Sequence, residues 1–194
     1  IVASFGSAND QNEYTAIGLS GFIANNGATK AGIALKRTNI FGTGELHFLN
    51  NNTTDNSDMT LSDSKMVIDS SGNVGIGDPT PSYKLDVAGT IRATGDVIAY
   101  SDVRVKENIK TIDNSLEKVS KLRGVEFNKI SDDEKSIGVI AQEIEKVIPE
   151  VVREDDKGMK SVAYGNISGL LIEAIKELKA EIEELKLNNC NCNK

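Results

Sequence analysis

Ser101 and Lys106 are the two residues of this chain whose types and spacing could do covalent chemistry. A serine hydroxyl becomes an effective nucleophile only when a neighbouring base takes its proton. A lysine amine can take that proton only in its neutral form, which burial or nearby positive charge favours. Arg104 and Lys110 are close enough in sequence to supply such charge. A serine five residues before a lysine is common in proteins, so this pair is a candidate dyad for peptide-bond cleavage that its spacing alone does not establish.

The spacing of this pair decides which local structure could bring it together. On a helix, an offset of five residues leaves two side chains roughly 140° apart around the axis. On a strand, an odd offset places them on opposite faces. The dyad therefore needs a bend near residues 102–103, or a lysine from a neighbouring subunit. In both cases activity would depend on the folded assembly.

The dyad lies at a sharp change in composition. Residues 1–100 carry 16 charged side chains and 12 of the 17 glycines, whereas residues 101–194 carry 35 charged side chains. This contrast predicts two domains, residues 1–100 and residues 101–194. The net charge of −7, with no basic cluster, argues against nucleic acid or an anionic membrane as a partner.

No metal site or cofactor is predicted from the remaining reactive side chains. Cys190 and Cys192 lack the further ligands that a metal ion needs, and His47 stands alone in an alternating, strand-like stretch. Three glycines, Gly72, Gly75 and Gly77, fit neither the dinucleotide fingerprint nor a Walker loop. We expect His47 to be structural and the cysteine tail to have no chemistry.

The first domain is predicted to be entirely β and unable to fold alone. Its apolar runs are short, and turn-forming residues separate them. Such a segment buries little core as a monomer, so we expect three chains to intertwine into a fibre shaft that shares one core. The predicted strands are Tyr14–Leu19, Gly32–Lys36, Glu45–Leu49, Met66–Ile68, Asn73–Ile76, Leu85–Val87, Thr90–Arg92 and Val97–Tyr100.

The second domain is predicted to be α+β over residues 101–165. An amphipathic pattern predicts a helix that starts near Asp113 or Asn114 and stops before Gly124. Strands are predicted at residues 125–128, 136–141 and 160–164, with a helix at residues 142–147 that ends before Pro149.

The closing helix, residues 166–187, is predicted to form a coiled coil, followed by a flexible tail at residues 188–194. A heptad seam over two and a half repeats supports this, because apolar residues recur at intervals of four and three: Leu171, Ile175, Leu178, Ile182 and Leu185. Glutamates such as Glu173, Glu177 and Glu181 are expected to form a solvated outer face. Isoleucine and leucine at these seam positions ordinarily favour a coiled coil of two helices. We nevertheless expect three helices, because the fibre shaft and the family resemblance described below require a trimer.

The stretch Ser101-Asp-Val-Arg-Val-Lys-Glu-Asn-Ile resembles the start of the S74-type intramolecular chaperone domain of phage endosialidases, tail spikes and neck appendages. The same domain type occurs in a family of membrane-tethered animal transcription factors. The likeness continues through Leu122-Arg-Gly-Val-Glu-Phe, residues 137–152, Val162-Ala-Tyr and the closing helix. Residues 69–100 resemble the repeat that precedes this domain in many phage tail fibres.

This resemblance implies a homotrimer that templates folding of the upstream shaft and then releases itself by autoproteolysis. Ser101 would be the nucleophile, Lys106 the general base, and Tyr100–Ser101 the bond that is cut, with no cofactor. Supporting roles would fall to Asp102, Asn108, Gln142 and Glu143. The fibre would belong to a virion, and the chaperone would be released in the host cytoplasm.

Two alternatives remain open at this stage. The first is an uncleaved structural trimerisation tail of a fibre or adhesin, which would share the fold but lack the cut. The second is a receptor- or glycan-binding fibre tip, with a host-cell surface receptor as partner and the site within residues 1–65.

Overall fold

A computed structural model describes residues 14–19, 28–39, 43–130 and 133–191 of this 194-residue chain. Cys192 and the end of the predicted tail lie outside these residues, as does part of the segment proposed for glycan binding. The fold is mixed, with β-sheets and a long closing helix. Contacts divide the chain into Ile1–Ile98 and Ala99–Lys194. That division falls two residues before the predicted domain boundary.

The first unit contains a six-stranded sheet in sequential order. Neighbouring strands are antiparallel throughout, except that the last strand runs parallel to the one beside it. The strands are β1 Tyr14–Leu19, β2 Ala31–Arg37, β3 Gly44–Asn50, β4 Ser64–Ile68, β5 Val74–Ile76 and β6 Leu85–Val87. Two of the predicted strands, β1 and β6, have the predicted bounds, and four others are found within two residues of theirs.

One face of this sheet packs against the loop between β3 and β4. Ala34, Leu49 and Met59 form its buried apolar cluster, with Met59 supplied by that loop. The loop lies close to the sheet, because a Cβ atom on Gly32 would clash with the Met59 side chain. His47 is buried on the same face and contacts Ser64 and Glu45 through its two ring nitrogens, at 3.0 and 3.2 Å.

The predicted strands Thr90–Arg92 and Val97–Tyr100 are wrong for the single chain. Residues 88–114 contain one short 3₁₀ turn and no strand. A strand needs a neighbour for its backbone N–H and C=O groups, and no other described segment of the chain pairs with these residues. Their alternating apolar residues remain exposed, including Ile91, Val97 and Tyr100.

The second unit combines two β-hairpins with three helices. Strands β7 (Val125–Asn128) and β8 (Lys135–Gly138) pair with each other, as do β9 (Val152–Glu154) and β10 (Lys160–Val162). The helices are α1 Ser115–Ser120, α2 Ala141–Ile144 and α3 Ile167–Asn191. Its core consists of five buried apolar residues: Ile144, Ile148, Val151, Val152 and Leu170.

Helix α3 continues to Asn191, four residues beyond the predicted end of the coiled-coil segment. Its first half packs on its own unit through Leu170 and Ala174, which are buried. The predicted seam lies on a different stripe and is exposed in the single chain, from 43% at Ile182 to 66% at Ile175. Within the described residues, no helix is both long enough and apolar enough to span a membrane.

Candidate functional site

A single 3₁₀ turn brings the predicted dyad together within one chain. The turn comprises Val103–Val105, and the Lys106 backbone N–H closes it by donating to the Val103 carbonyl at 3.1 Å. The chain reverses enough for the Lys106 Nζ to donate to the Ser101 Oγ at 2.7 Å. The bend expected near residues 102–103 is present, and the contact forms without a lysine from another subunit.

Asp102 and Arg104 hold this turn in place. The Asp102 Oδ1 accepts a hydrogen bond from the Arg104 backbone N–H at 2.8 Å, which caps the start of the turn. The Arg104 guanidinium then donates to both oxygens of the same carboxylate, at 2.9 and 2.7 Å. Hydrogen bonds from Arg104 keep the pKa of Asp102 below its usual value. We call this pair the Asp102–Arg104 clasp.

The clasp changes the role expected for Arg104. A free guanidinium beside Lys106 would disfavour the ammonium form of that lysine. Here the Arg104 charge is neutralised by Asp102, and the pKa of Arg104 is raised by the same contact. Arg104 therefore stabilises the turn, and its effect on the lysine as a lone positive charge is reduced.

The dyad is open to solvent in the single chain. Ser101 and Lys106 are both exposed, and Tyr100, on the amino side of the predicted cut, is 97% exposed. Val103 and Val105 flank the pair with apolar side chains that are about two-thirds exposed. Among the described residues, no hydrogen-bond donor other than Lys106 contacts the serine hydroxyl.

The other predicted supporting residues lie apart from the dyad contact. Asn108 adopts a left-handed backbone conformation with φ of 53° two residues after the lysine. Glu143 accepts two hydrogen bonds from the Arg123 guanidinium, at 3.1 and 2.6 Å, which lower its pKa. Gln142 lines an open cavity of about 540 Å³ with Lys160 and Tyr164. None of these three hydrogen-bonds to Ser101 or Lys106 in the described part of the chain.

A second arrangement of serine, histidine and glutamate occurs in the sheet of the first unit. The His47 ring contacts Ser64 through one nitrogen and Glu45 through the other. His47 is, however, only 5% exposed. The Ser64 hydroxyl also donates to the Met66 carbonyl, and Lys36 pairs with Glu45 at 2.9 Å. The buried ring leaves no access for a substrate, so His47 is structural, in agreement with the sequence prediction.

A carboxylate on α3 caps the start of α1, which the sequence did not predict. The two oxygens of Glu177 accept hydrogen bonds from the backbone N–H groups of Ser115 and Leu116, at 2.9 and 2.7 Å. The local cap residue, Asn114, has φ of 47° and no capping side-chain bond. The expectation of a solvated outer face is therefore wrong for Glu177.

Residues 101–153 match the family model Peptidase_S74, described as chaperone of endosialidase. This match begins at the serine of the dyad and includes the turn, α1, the β7–β8 hairpin and α2. The resemblance predicted from the sequence is therefore confirmed for this segment, which is about a quarter of the chain.

Several relatives of known name are phage tail-fibre proteins, and another is the Myelin gene regulatory factor-like A of Dictyostelium discoideum, 31% identical over 140 residues. The chain is 41% identical over 100 residues to the Long tail fiber protein Gp37 of Enterobacteria phage K3, covering 47% of this chain and 8% of that protein. It is 34% identical over 125 residues to the protein of the same name from Enterobacteria phage M1, covering 57% of this chain and 50% of that protein. The chain thus spans at most half the length of these relatives.

A solved structure also resembles the chain, namely the carboxy-terminal domain of the bacteriophage T5 L-shaped tail fibre with its intramolecular chaperone domain. The likeness covers 97% of this chain and 60% of that one, at 12% identity and a TM-score of 0.41.

Weakening the clasp should slow any cleavage that depends on the dyad. Asp102→Ala removes both the cap and the guanidinium contact, whereas Asp102→Asn keeps an oxygen that can accept from the Arg104 N–H. We expect the first-order cleavage rate to fall about tenfold or more in the alanine variant and less in the asparagine variant. Quantitative denaturing electrophoresis over time measures both rates. Equal rates for wild type and Asp102→Ala would contradict a positioning role.

Removing the Glu177 carboxylate should loosen the start of α1. Hydrogen bonds from Leu116 and Ser115 lower the pKa of Glu177, so its contribution is complete above the ordinary glutamate pKa of about 4.3. That contribution is lost as the pH falls through the lowered folded-state value. In Glu177→Ala we expect amide hydrogen exchange at Ser115 and Leu116 to accelerate roughly tenfold at pH 7.

Glu181→Ala is the matched control, because Glu181 is one turn further along α3 and is exposed. Its exchange rates at the same two amides should equal those of the wild type. The difference between Glu177→Ala and wild type should shrink as the pH is lowered below about 4.3. A difference that stays constant with pH would contradict the capping role.

Proposed function

We propose that residues 101–194 are the intramolecular chaperone of a phage tail fibre, which trimerises the chain and then cuts it at Tyr100–Ser101. The observation that carries this proposal is the 2.7 Å contact between the Lys106 Nζ and the Ser101 Oγ. This contact lies at the start of the segment that matches the chaperone family, and several relatives are long tail-fibre proteins.

The proposed reaction is an acyl transfer followed by hydrolysis. The neutral Lys106 amine takes the proton from the Ser101 hydroxyl as the oxygen attacks the Tyr100 carbonyl carbon. The C–N bond between the two residues breaks, the proton passes to the leaving nitrogen, and Tyr100 is left as an ester on Ser101. Water then opens this ester, which gives a carboxylate on Tyr100 and a free amino terminus on Ser101.

Assembly is proposed to complete the site. Exclusion of water favours the neutral lysine amine and strengthens hydrogen bonds to an oxyanion, whereas the single chain leaves the dyad exposed. The apolar side chains of Tyr100, Val103 and Val105 stand in solvent beside it. Neighbouring subunits that cover these side chains would also remove water from the dyad. Cleavage would then occur only in the assembled state.

Helix α3 supports assembly because two of its stripes are apolar. Leu170 and Ala174 are already buried against the same unit. The seam on the other stripe, from Leu171 to Leu185, repeats at heptad spacing, and none of the described residues covers it. Residues 178–189 are exposed throughout, and a helix of that length is marginal in water without a partner. Three copies would bury this seam.

The proposed cut makes folding of the shaft hard to reverse. An interleaved β-structure folds slowly, because its contacts join residues far apart in sequence. A coiled coil holds three chains together and raises their effective concentration. Once the coiled coil has been released, the shaft no longer carries the element that guided its folding, so unfolding becomes kinetically disfavoured. The shaft would remain in the virion, and the chaperone would be left in the host cytoplasm.

Refolding the denatured full chain at a series of concentrations tests this proposal. Light scattering follows assembly, and denaturing electrophoresis follows cleavage into fragments of 100 and 94 residues. We expect cleavage to appear only at concentrations where trimers form, and to lag behind them. Trimers that stay intact would favour the uncleaved trimerisation tail, and cleavage of monomers would contradict dependence on assembly.

A further inference from the structure

The six-stranded sheet has one face made almost wholly of large apolar side chains. The strand register aligns the residues of this face in two rows, and each row crosses all six strands. The first row is Ile17, Ile33, Phe48, Met66, Ile76 and Val87. The second is Thr15, Leu35, Leu46, Ile68, Val74 and Leu85. We call these twelve residues the apolar face; none is charged, and Thr15 alone is polar.

The apolar face of this sheet is uncovered in the single chain. None of its twelve residues is buried. The opposite face, which the β3–β4 loop covers, holds the buried residues of the sheet, both apolar ones such as Leu49 and Val67 and small or polar ones such as Gly32 and His47. A sheet with one solvated face normally presents polar side chains to water and apolar ones to the core. The uncovered face is therefore built as an interior surface.

The apolar face is large enough to support a stable interface. Six of its side chains are between 36% and 57% exposed: Ile17, Ile33, Leu35, Phe48, Ile76 and Leu85. At ~200 Å² for a fully exposed side chain of this size, these six present on the order of 500 Å². That is near the largest patch of a typical monomer, ~300–600 Å². It is also a large part of the ~800 Å² that each partner buries in a standard interface.

We propose that the apolar face packs against the same face of two further copies of this chain, around a common axis. The inference rests on the homotrimer of the proposed function and specifies which surface of the first unit forms it. A charge-free face gives a foreign protein or a glycan few polar groups to recognise. Identical flat apolar faces are, by contrast, complementary to one another in chemistry, and closing three of them leaves no apolar sheet face in water.

Cysteine cross-linking in the full-length chain tests this surface. The background carries Ser101→Ala to keep the chain in one piece, with Cys190→Ser and Cys192→Ser to remove the native thiols. Met66→Cys places a thiol at the centre of the apolar face. Tyr14→Cys is the matched control, because Tyr14 precedes Thr15 on β1, is 38% exposed and points to the opposite face in a regular strand pair.

Facing sheets pack about 10 Å apart, so a bismaleimide of that span should join Met66→Cys chains into covalent dimers and trimers. Tyr14→Cys should remain at least tenfold less cross-linked. Ile33→Cys, in the same row as Met66, gives a second probe if Met66→Cys disturbs folding. Native mass spectrometry of each variant reports whether it is still a trimer.

The outcomes separate this inference from the function on which it rests. Trimers that do not cross-link at position 66 or position 33, or that cross-link equally at position 14, would overturn the proposed surface and leave the homotrimer intact. A wild-type chain that stays monomeric would overturn the homotrimer and this surface together. Selective cross-linking at positions 66 and 33 supports both.

Discussion

Replacing Ser101 by alanine should leave the assembled 194-residue chain intact, whereas we expect the wild type to be cut. The variant lacks the Oγ that receives the Lys106 contact and would attack the Tyr100 carbonyl. We expect the cleavage rate to fall about 10⁴-fold or more, as when a member of a serine-protease triad is removed. Denaturing electrophoresis of the purified trimer measures this loss.

Lys106→Ala should be as severe as Ser101→Ala, because nucleophile and base act as one unit. For the same reason the double variant should be no slower than either single variant. Lys129→Ala is the control, since Lys129 is an exposed lysine outside the turn. Cleavage of Lys106→Ala at the wild-type rate would show that another group takes the proton. Loss of trimers in either dyad variant would point to a folding role instead.

Two charges in the seam of α3 should abolish both assembly and cleavage. Leu178→Glu with Ile182→Glu places carboxylates at two positions that are exposed in the single chain and proposed to be buried in the trimer. Each lost apolar contact costs about 2 kcal/mol, so six sites in a trimer cost on the order of 10 kcal/mol. We expect a monomer by native mass spectrometry and a chain that remains uncut.

Ala180→Glu is the control for the seam variant, because position 180 lies on the outer side of the heptad pattern and is exposed. That variant should form trimers and be cut as the wild type is. The two outcomes together separate loss of the seam from a general effect of added negative charge. Cleavage of the double seam variant as a monomer would break the proposed link between assembly and cutting.

The sequence predicted the sheet well where local patterns determine it. Alternating apolar residues bounded by turn formers located β1 and β6 with their observed bounds. The same reasoning failed at Thr90–Arg92 and Val97–Tyr100, because a strand requires a neighbouring strand as well as an alternating pattern. Whether three intertwined chains would supply those neighbours is part of the proposed function.

At the candidate site, sequence reasoning identified the need for a bend but not the means of holding it. Ser101 and Lys106 meet through a 3₁₀ turn that Asp102 caps and Arg104 clasps. Asp102 was predicted as a supporting residue, and its spacing of two from Arg104 is a local signal for such a cap. Glu177, by contrast, contacts Ser115 across 62 residues of sequence, and no local pattern indicates that pairing.

The exposed glutamates of α3 show how a surface pattern can mislead. Glu173 pairs with Lys176, three residues further along the same helix, at 2.6 Å. This local ion pair fits the outer face predicted for Glu173. Glu177, one turn later, instead caps α1 and so ties the coiled-coil helix to the segment that follows the dyad. The periodicity of a single helix indicates which residues share a face, but it does not indicate what packs against that face.

The mass of the mature chain tests the central claim most directly. The wild-type protein is expressed, allowed to assemble, and measured by denaturing mass spectrometry without prior proteolysis. We predict two fragments, residues 1–100 ending in a free Tyr100 carboxylate and residues 101–194 beginning with a free Ser101 amine. A single intact species of 20.8 kDa, recovered from a fully assembled trimer, would contradict self-cleavage at this bond.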